Sequence, residues 1–94
     1  MVIDTSAVVA MLLGEPERDE LIALLSDAQD PLISAATLVE ASIVMRAKTG
    51  HEGIVDLDAL LGAAAVRFIA VDITQAHMAR DAFAATGRGA RRRA

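Results

Sequence analysis

Met1-Val2-Ile3-Asp4-Thr5-Ser6-Ala7-Val8-Val9-Ala10-Met11-Leu12-Leu13 decides the fold of this chain. A short apolar run ends in a carboxylate, two small hydroxyl residues follow, and a second apolar run stops at Gly14. That order reads as strand, turn and buried helix. Ligands of parallel α/β sheets bind at the carboxyl ends of the strands, so Asp4 is presented where chemistry is usually done. The same residue is a good helix cap, as is Thr5. On these residues alone capping and ligand binding both stay open, and a second acid has to decide.

Working outward, strand and helix alternate. Glu15-Pro16-Glu17-Arg18-Asp19-Glu20 opens a second helix, with proline in its first turn and acids at the positive end of the dipole. Leu21, Leu24, Leu25 and Ala28 form its apolar stripe. Pro31-Leu32-Ile33-Ser34 reads as a strand and Ala35–Lys48 as a helix stopped near Gly50. His51–Ala65 is another helix, with Ile54, Leu57, Leu60 and Leu61 at helical spacing. Val66–Val71 is a third strand, and a last helix capped by Asp72 or Thr74 runs through Thr86 to Gly87. The alternation predicts an α/β fold, a parallel sheet flanked by helices on both faces.

Glu40 is the second acid. On a helix its face comprises Ala36, Thr37, Ile43, Val44 and Ala47. A carboxylate amid small and apolar residues is expensive to bury unless a cation or charged partner satisfies it. The competing reading is a helix-edge ion pair with Arg46 or Lys48, neither at the favourable offset. Leu38, Val39, Ala41 and Met45 make this helix apolar nearly all round, which suits burial on both sides or an interface.

Composition sets the limits. Ninety-four residues make one domain, 54% hydrophobic, with Phe68 and Phe83 its only aromatics. Such a chain has much to bury and few large side chains, so a partner surface is expected. There is no cysteine, which excludes disulfides and thiolate metal sites. No basic leader precedes the apolar run at Ala7–Leu13, which is too short to span a bilayer, and a soluble, cytoplasmic protein with no membrane partner is expected. The net charge of −4 is uneven: residues 1–87 carry 5 Lys and Arg against 13 Asp and Glu, or −8, and Arg88, Arg91, Arg92 and Arg93 add +4. The reading is a domain over 1–87 and a basic, disordered tail over 88–94. Solvation is the tail's default role, and contact with nucleic-acid phosphates its functional one.

Val2 to Ala10, Glu40 within Ser34-Ala35-Ala36-Thr37-Leu38-Val39-Glu40-Ala41, and Phe68-Ile69-Ala70-Val71-Asp72 followed by a helix together resemble a PIN domain. Within that family the chain is most similar to the VapC-type toxins of bacterial toxin–antitoxin pairs, over residues 1 to about 89. The resemblance implies a PIN-like three-layer domain with sheet order 3-2-1-4-5. It also implies a Mg²⁺- or Mn²⁺-dependent endoribonuclease that forms a homodimer, acts on RNA and is neutralised by a cognate VapB-type antitoxin. Asp4 and Glu40 match the first two acids of the family's metal site and would serve as catalytic and metal-binding residues. Thr5 or Ser6 matches the small polar position beside the first acid. The family's later helix and strands, with a third and often a fourth acid, have no counterpart after Asp81. The resemblance therefore implies an open edge on the first strand and weak cleavage by this chain.

Two further readings compete. One is a catalytically impaired PIN-like interaction module that keeps the antitoxin and dimer surfaces. The other is an unrelated doubly wound domain binding an anion or nucleotide through Asp4, which would call for phosphate-binding glycines or a lysine at a strand end, and neither is present. His51 in a Gly50–Gly53 turn, His77, Asp56 and Asp58 read as solvated surface residues.

Overall fold

The computed structural model describes residues 1–70 together with His77 and Arg80. The elements run α1 (Thr5–Leu13), α2 (Arg18–Asp27), β1 (Leu32–Ser34), α3 (Ala35–Thr49), α4 (His51–Ala63) and β2 (Arg67–Ile69). β1 and β2 are parallel, pairing Leu32 with Arg67, Ile33 with Phe68 and Ser34 with Ile69. The N-terminal segment lies on the other side of β1 through a parallel bridge between Val2 and Leu32. There Ile3 N–H donates to the Leu32 carbonyl and Leu32 N–H to that of Met1, both at 2.8 Å. The described order is thus N-terminal segment, β1, β2, which matches the first three positions of the expected 3-2-1-4-5.

Each connection between parallel strands is a pair of helices, α1–α2 and then α3–α4. Parallel strands need long crossovers, and helices supply them. The core gathers Ile3 and Ile33 from the sheet with Val8 and Met11 from α1, Leu25 from α2, Ala41 from α3, Leu57 and Leu61 from α4, and Val66. Each large aliphatic side chain buried in this way contributes roughly 1.5–3 kcal/mol before entropy is counted. The outer strand is less covered, for Phe68 stays 55% exposed.

Helix ends follow backbone chemistry. Gly14 (φ 68°, ψ 36°) takes the left-handed conformation that ends α1, and Glu15 N–H closes back on the Ala10 carbonyl at 3.1 Å. α4 ends in the same motif without glycine: Val66 N–H reaches Leu61 O at 3.0 Å and Ala65 N–H reaches Gly62 O at 3.1 Å. Ala65 there sits at φ 51°, a conformation that disfavours any residue with a Cβ.

Three readings need correction. The second helix begins at Arg18, because Glu15-Pro16-Glu17 forms the turn that carries the chain off α1. Arg18 Nε then donates to the Met11 carbonyl at 3.1 Å, satisfying an orphan acceptor at the negative end of α1. Leu24 is 54% exposed, and Ile22 joins Leu21 against the core in its place. Gly53 belongs to no turn: it is a buried residue of α4 at the crossing with α3. A Cβ there would stand 2.6 Å from the Met45 carbonyl oxygen, so only glycine lets the backbones approach this closely. The expected last helix from Asp72 or Thr74 to Thr86 lies outside the described residues, apart from His77 and Arg80, which are helical.

Candidate metal and active site

Asp4 follows the first bridged segment and caps α1. Its Oδ1 accepts the Ala7 backbone N–H at 2.8 Å and the Ser6 hydroxyl at 3.0 Å. Oδ2 accepts no hydrogen bond among the described residues, and the side chain is exposed. Capping and ligand binding therefore do not compete, since the cap occupies one oxygen and leaves the other turned out. The carboxylate also stands at the positive end of the α1 dipole, where a negative charge is stabilised.

Ser6 and Thr5 separate clearly. Ser6 is the hydroxyl that touches Asp4. Thr5 turns inward and is only 7% exposed, the single buried polar residue among those described. Its hydroxyl forms no hydrogen bond with any described residue.

The second cap at this rim went unread in the sequence. Ser34, last residue of β1, caps α3: its Oγ accepts the Thr37 N–H at 3.0 Å and its hydroxyl donates to Thr37 Oγ1 at 3.0 Å. Ser34 and Asp4 each lie two residues beyond the Val2–Leu32 bridge, so parallel register puts both at the same end of the sheet. A Ser-x-x-Thr ahead of an apolar helix was the available signal.

Glu40 lies in the second turn of α3, roughly 9 Å along the axis from its cap at 1.5 Å per residue. It is half-buried. Its surroundings differ from the expected apolar face: Ala36, Ile43 and Ala47 are exposed, Thr37 and Val44 half-buried, and the buried stripe of α3 is Ala41 and Met45. Glu40 therefore stands on the border between core and surface; of the two alternatives for α3, burial on both sides is not what the described residues show, while its exposed Val39 and Ile43 leave the interface reading standing. Helical side chains in general point back over the preceding turn, and the amino end of α3 is the end that adjoins the sheet rim.

The donor set is oxygen only. Among the described residues no group of three or more His, Cys, Asp or Glu gathers as a metal cage. Carboxylate oxygens such as those of Asp4 and Glu40 are the donor type that Mg²⁺ and Mn²⁺ take, ions that keep several waters and complete their shells from substrate phosphate. Two carboxylates do not suit a closed tetrahedral zinc site.

The other described candidates are surface residues. His51 opens α4 and is exposed, as are Asp56, Asp58 and His77. Arg88, Arg91, Arg92 and Arg93 lie outside the described residues. Along the outer side of α3 runs a concavity of about 470 Å³, lined among the described residues by Leu38, Val39, Ser42, Ile43, Arg46 and Ala47. No helix among the described residues is long and apolar enough to cross a membrane.

Comparison with known proteins matches residues 1–92 to the PIN-domain family model. The chain is 41% identical to ribonuclease VapC30 of Mycobacterium tuberculosis over 92 residues, covering 98% of this chain and 70% of that protein. It is 40% identical to ribonuclease VapC of Mycolicibacterium smegmatis over 92 residues, 98% of this chain and 71% of the relative. Ribonuclease VapC42 of M. tuberculosis is 34% identical over 89 residues, covering 95% of this chain and 68% of its own length.

Proposed function

This chain belongs to the PIN-domain family, and from that premise we propose that it is a metal-dependent endoribonuclease, the toxin of a toxin–antitoxin pair. The observation that carries the reading is similarity along nearly the whole chain to several proteins named VapC ribonucleases. It favours an enzyme over a bare interaction module, and family membership sets aside the unrelated nucleotide-binding domain.

Asp4 and Glu40 are assigned as the metal-holding and catalytic acids. Asp4 supports this with an oxygen that accepts no hydrogen bond from the described residues, and Glu40 with its place in the second turn of α3, whose amino end adjoins the same rim. A bound Mg²⁺ or Mn²⁺ supplies Lewis acidity at the phosphate and lowers the pKa of its water. Asp4 presents Oδ2 while Ser6 and the Ala7 N–H fix its plane through Oδ1. Glu40 supplies the second charge, held at the border of the core where its motion is restricted. The tail arginines Arg88, Arg91, Arg92 and Arg93 are assigned as phosphate contacts that raise RNA affinity without choosing its sequence, with 1–87 as the folded domain and 88–94 as the tail. The partners are a cognate VapB-type antitoxin and a second copy of the chain, and the compartment is the cytoplasm.

RNA cleavage in Mn²⁺ tests the assignment. Cleavage should vanish in Asp4→Asn and in Glu40→Gln, both of which keep side-chain shape and remove charge. Cleavage that survives both substitutions places the active site elsewhere.

A further inference from the structure

We infer that Thr37 is a positioning residue of the same site, its hydroxyl holding a water of the ion that Asp4 and Glu40 bind; the inference rests on that metal assignment. Ser34 and Thr37 share one hydroxyl–hydroxyl bond, and the Ser34 oxygen already accepts the Thr37 N–H. Two hydroxyls joined by one bond leave one proton to give. No described residue takes it.

Position then says where the proton goes. Thr37 stands three residues before Glu40, on the same strip of helix surface, in the turn over which a helical side chain at position 40 generally extends. Ser34 shares its register level with Asp4, and Thr37 follows it in the first turn of the helix that carries Glu40. In a capping box the third helical position carries Glu or Gln, which reaches back to the cap backbone; Thr37 instead accepts the Ser34 hydroxyl and keeps a donor of its own.

Thr5 supplies an independent sign. A buried hydroxyl without a hydrogen bond is rare and usually marks an ordered water. Thr5, one residue after Asp4, is buried and forms no hydrogen bond with the described residues.

Mn²⁺ titration of the full chain, followed by electron paramagnetic resonance, tests this without reference to activity. Thr37→Val removes the hydroxyl and keeps the shape. We expect Mn²⁺ affinity to fall about 10–100-fold, the usual effect of losing an outer-shell partner, while Thr37→Ser stays within about twofold of wild type. Melting of the metal-free variants separates this from unfolding, and Thr37→Ala replaces Thr37→Val if the latter does not fold. Unchanged affinity in the folded Val or Ala variant overturns the inference while Asp4→Asn still abolishes binding. If Asp4→Asn and Glu40→Gln both leave Mn²⁺ binding intact, or wild type binds none, the metal assignment itself has failed and this inference with it.

Discussion

Asp4 carries two duties on two oxygens, and substitutions separate them. Asp4→Asn keeps an acceptor for the Ala7 N–H and should leave stability within about 0.5 kcal/mol of wild type, because Asn caps as well as Asp. Asp4→Ala loses the cap as well and should cost ~1 kcal/mol, or some 4–8 °C in melting midpoint for a domain of this size. Both should abolish Mn²⁺-dependent cleavage. Equal melting midpoints for the Asn and Ala variants would show that the hydrogen bonds to Oδ1 contribute nothing to the fold. Gly53 is a purely steric counterpart: Gly53→Ala drives a methyl into the Met45 carbonyl and should destabilise by about 1–3 kcal/mol. A Gly53→Ala chain as stable as wild type would mean that α3 and α4 slide apart without cost.

Among the elements, α1 and α4 end in the same backbone motif with different residues at its left-handed position. Gly14 suits that position and Ala65 does not. Gly14→Ala should therefore lower stability by about 1 kcal/mol. Ala65→Gly should raise it by a few tenths to ~1 kcal/mol, the relief of Cβ strain exceeding the extra entropy of an unfolded glycine. Denaturant midpoints of the pair should move in opposite directions, and movement in the same direction refutes the account. β1 and β2 are tied at their amino ends by Arg67, whose Nη2 and Nε donate to the two Asp30 carboxylate oxygens at 2.9 and 3.3 Å. Those hydrogen bonds, with the guanidinium charge, hold the Asp30 carboxyl below its ordinary value of 3.8. A carboxyl lowered in the folded state adds stability above its unfolded pKa and loses it as pH falls through the folded one. Wild type and Asp30→Asn should differ slightly near neutrality, since the pair is exposed, and converge below about pH 4. A difference that grows as the solution is acidified would reverse the sign.

At the scale of the molecule, the outer side of α3 gathers exposed apolar side chains among the described residues. Val39 is 58% and Ile43 65% exposed, one helical turn apart beside the α3 concavity, and Val2 at the first strand is 69% exposed. Apolar surface gathered in this way is what protein partners cover. The chain should sediment above its 9.8 kDa monomer mass, and Ile43→Lys should shift it toward monomer with little change in melting. A wild-type chain that stays monomeric at high concentration would remove self-association from the proposed function.

Residue order alone determined the alternation of strand and helix, the parallel sheet and the two acids, because each depends on local features. An apolar run closed by a carboxylate, a glycine after a helix and a carboxylate in a small-residue stretch are all legible within a few positions. The family resemblance turned those features into an ordered sheet, and the described strands follow that order. What the sequence could not settle was which way each side chain faces, since that depends on neighbours far along the chain. Leu24 and Ile22 are both apolar, and only the packing of α2 on the core chose Ile22. Ser6 and Thr5 are both small and polar, and only the entry angle of α1 gave Ser6 to Asp4 and buried Thr5. Glu40 looked enclosed because its helix neighbours are apolar, yet α3 turns Ala41 and Met45 inward and leaves Ile43 in solvent. Gly53 looked like part of a turn until the crossing of two helices made it the one residue that fits there. Periodicity fixes the faces of an element, and the tertiary fold decides which face is inside.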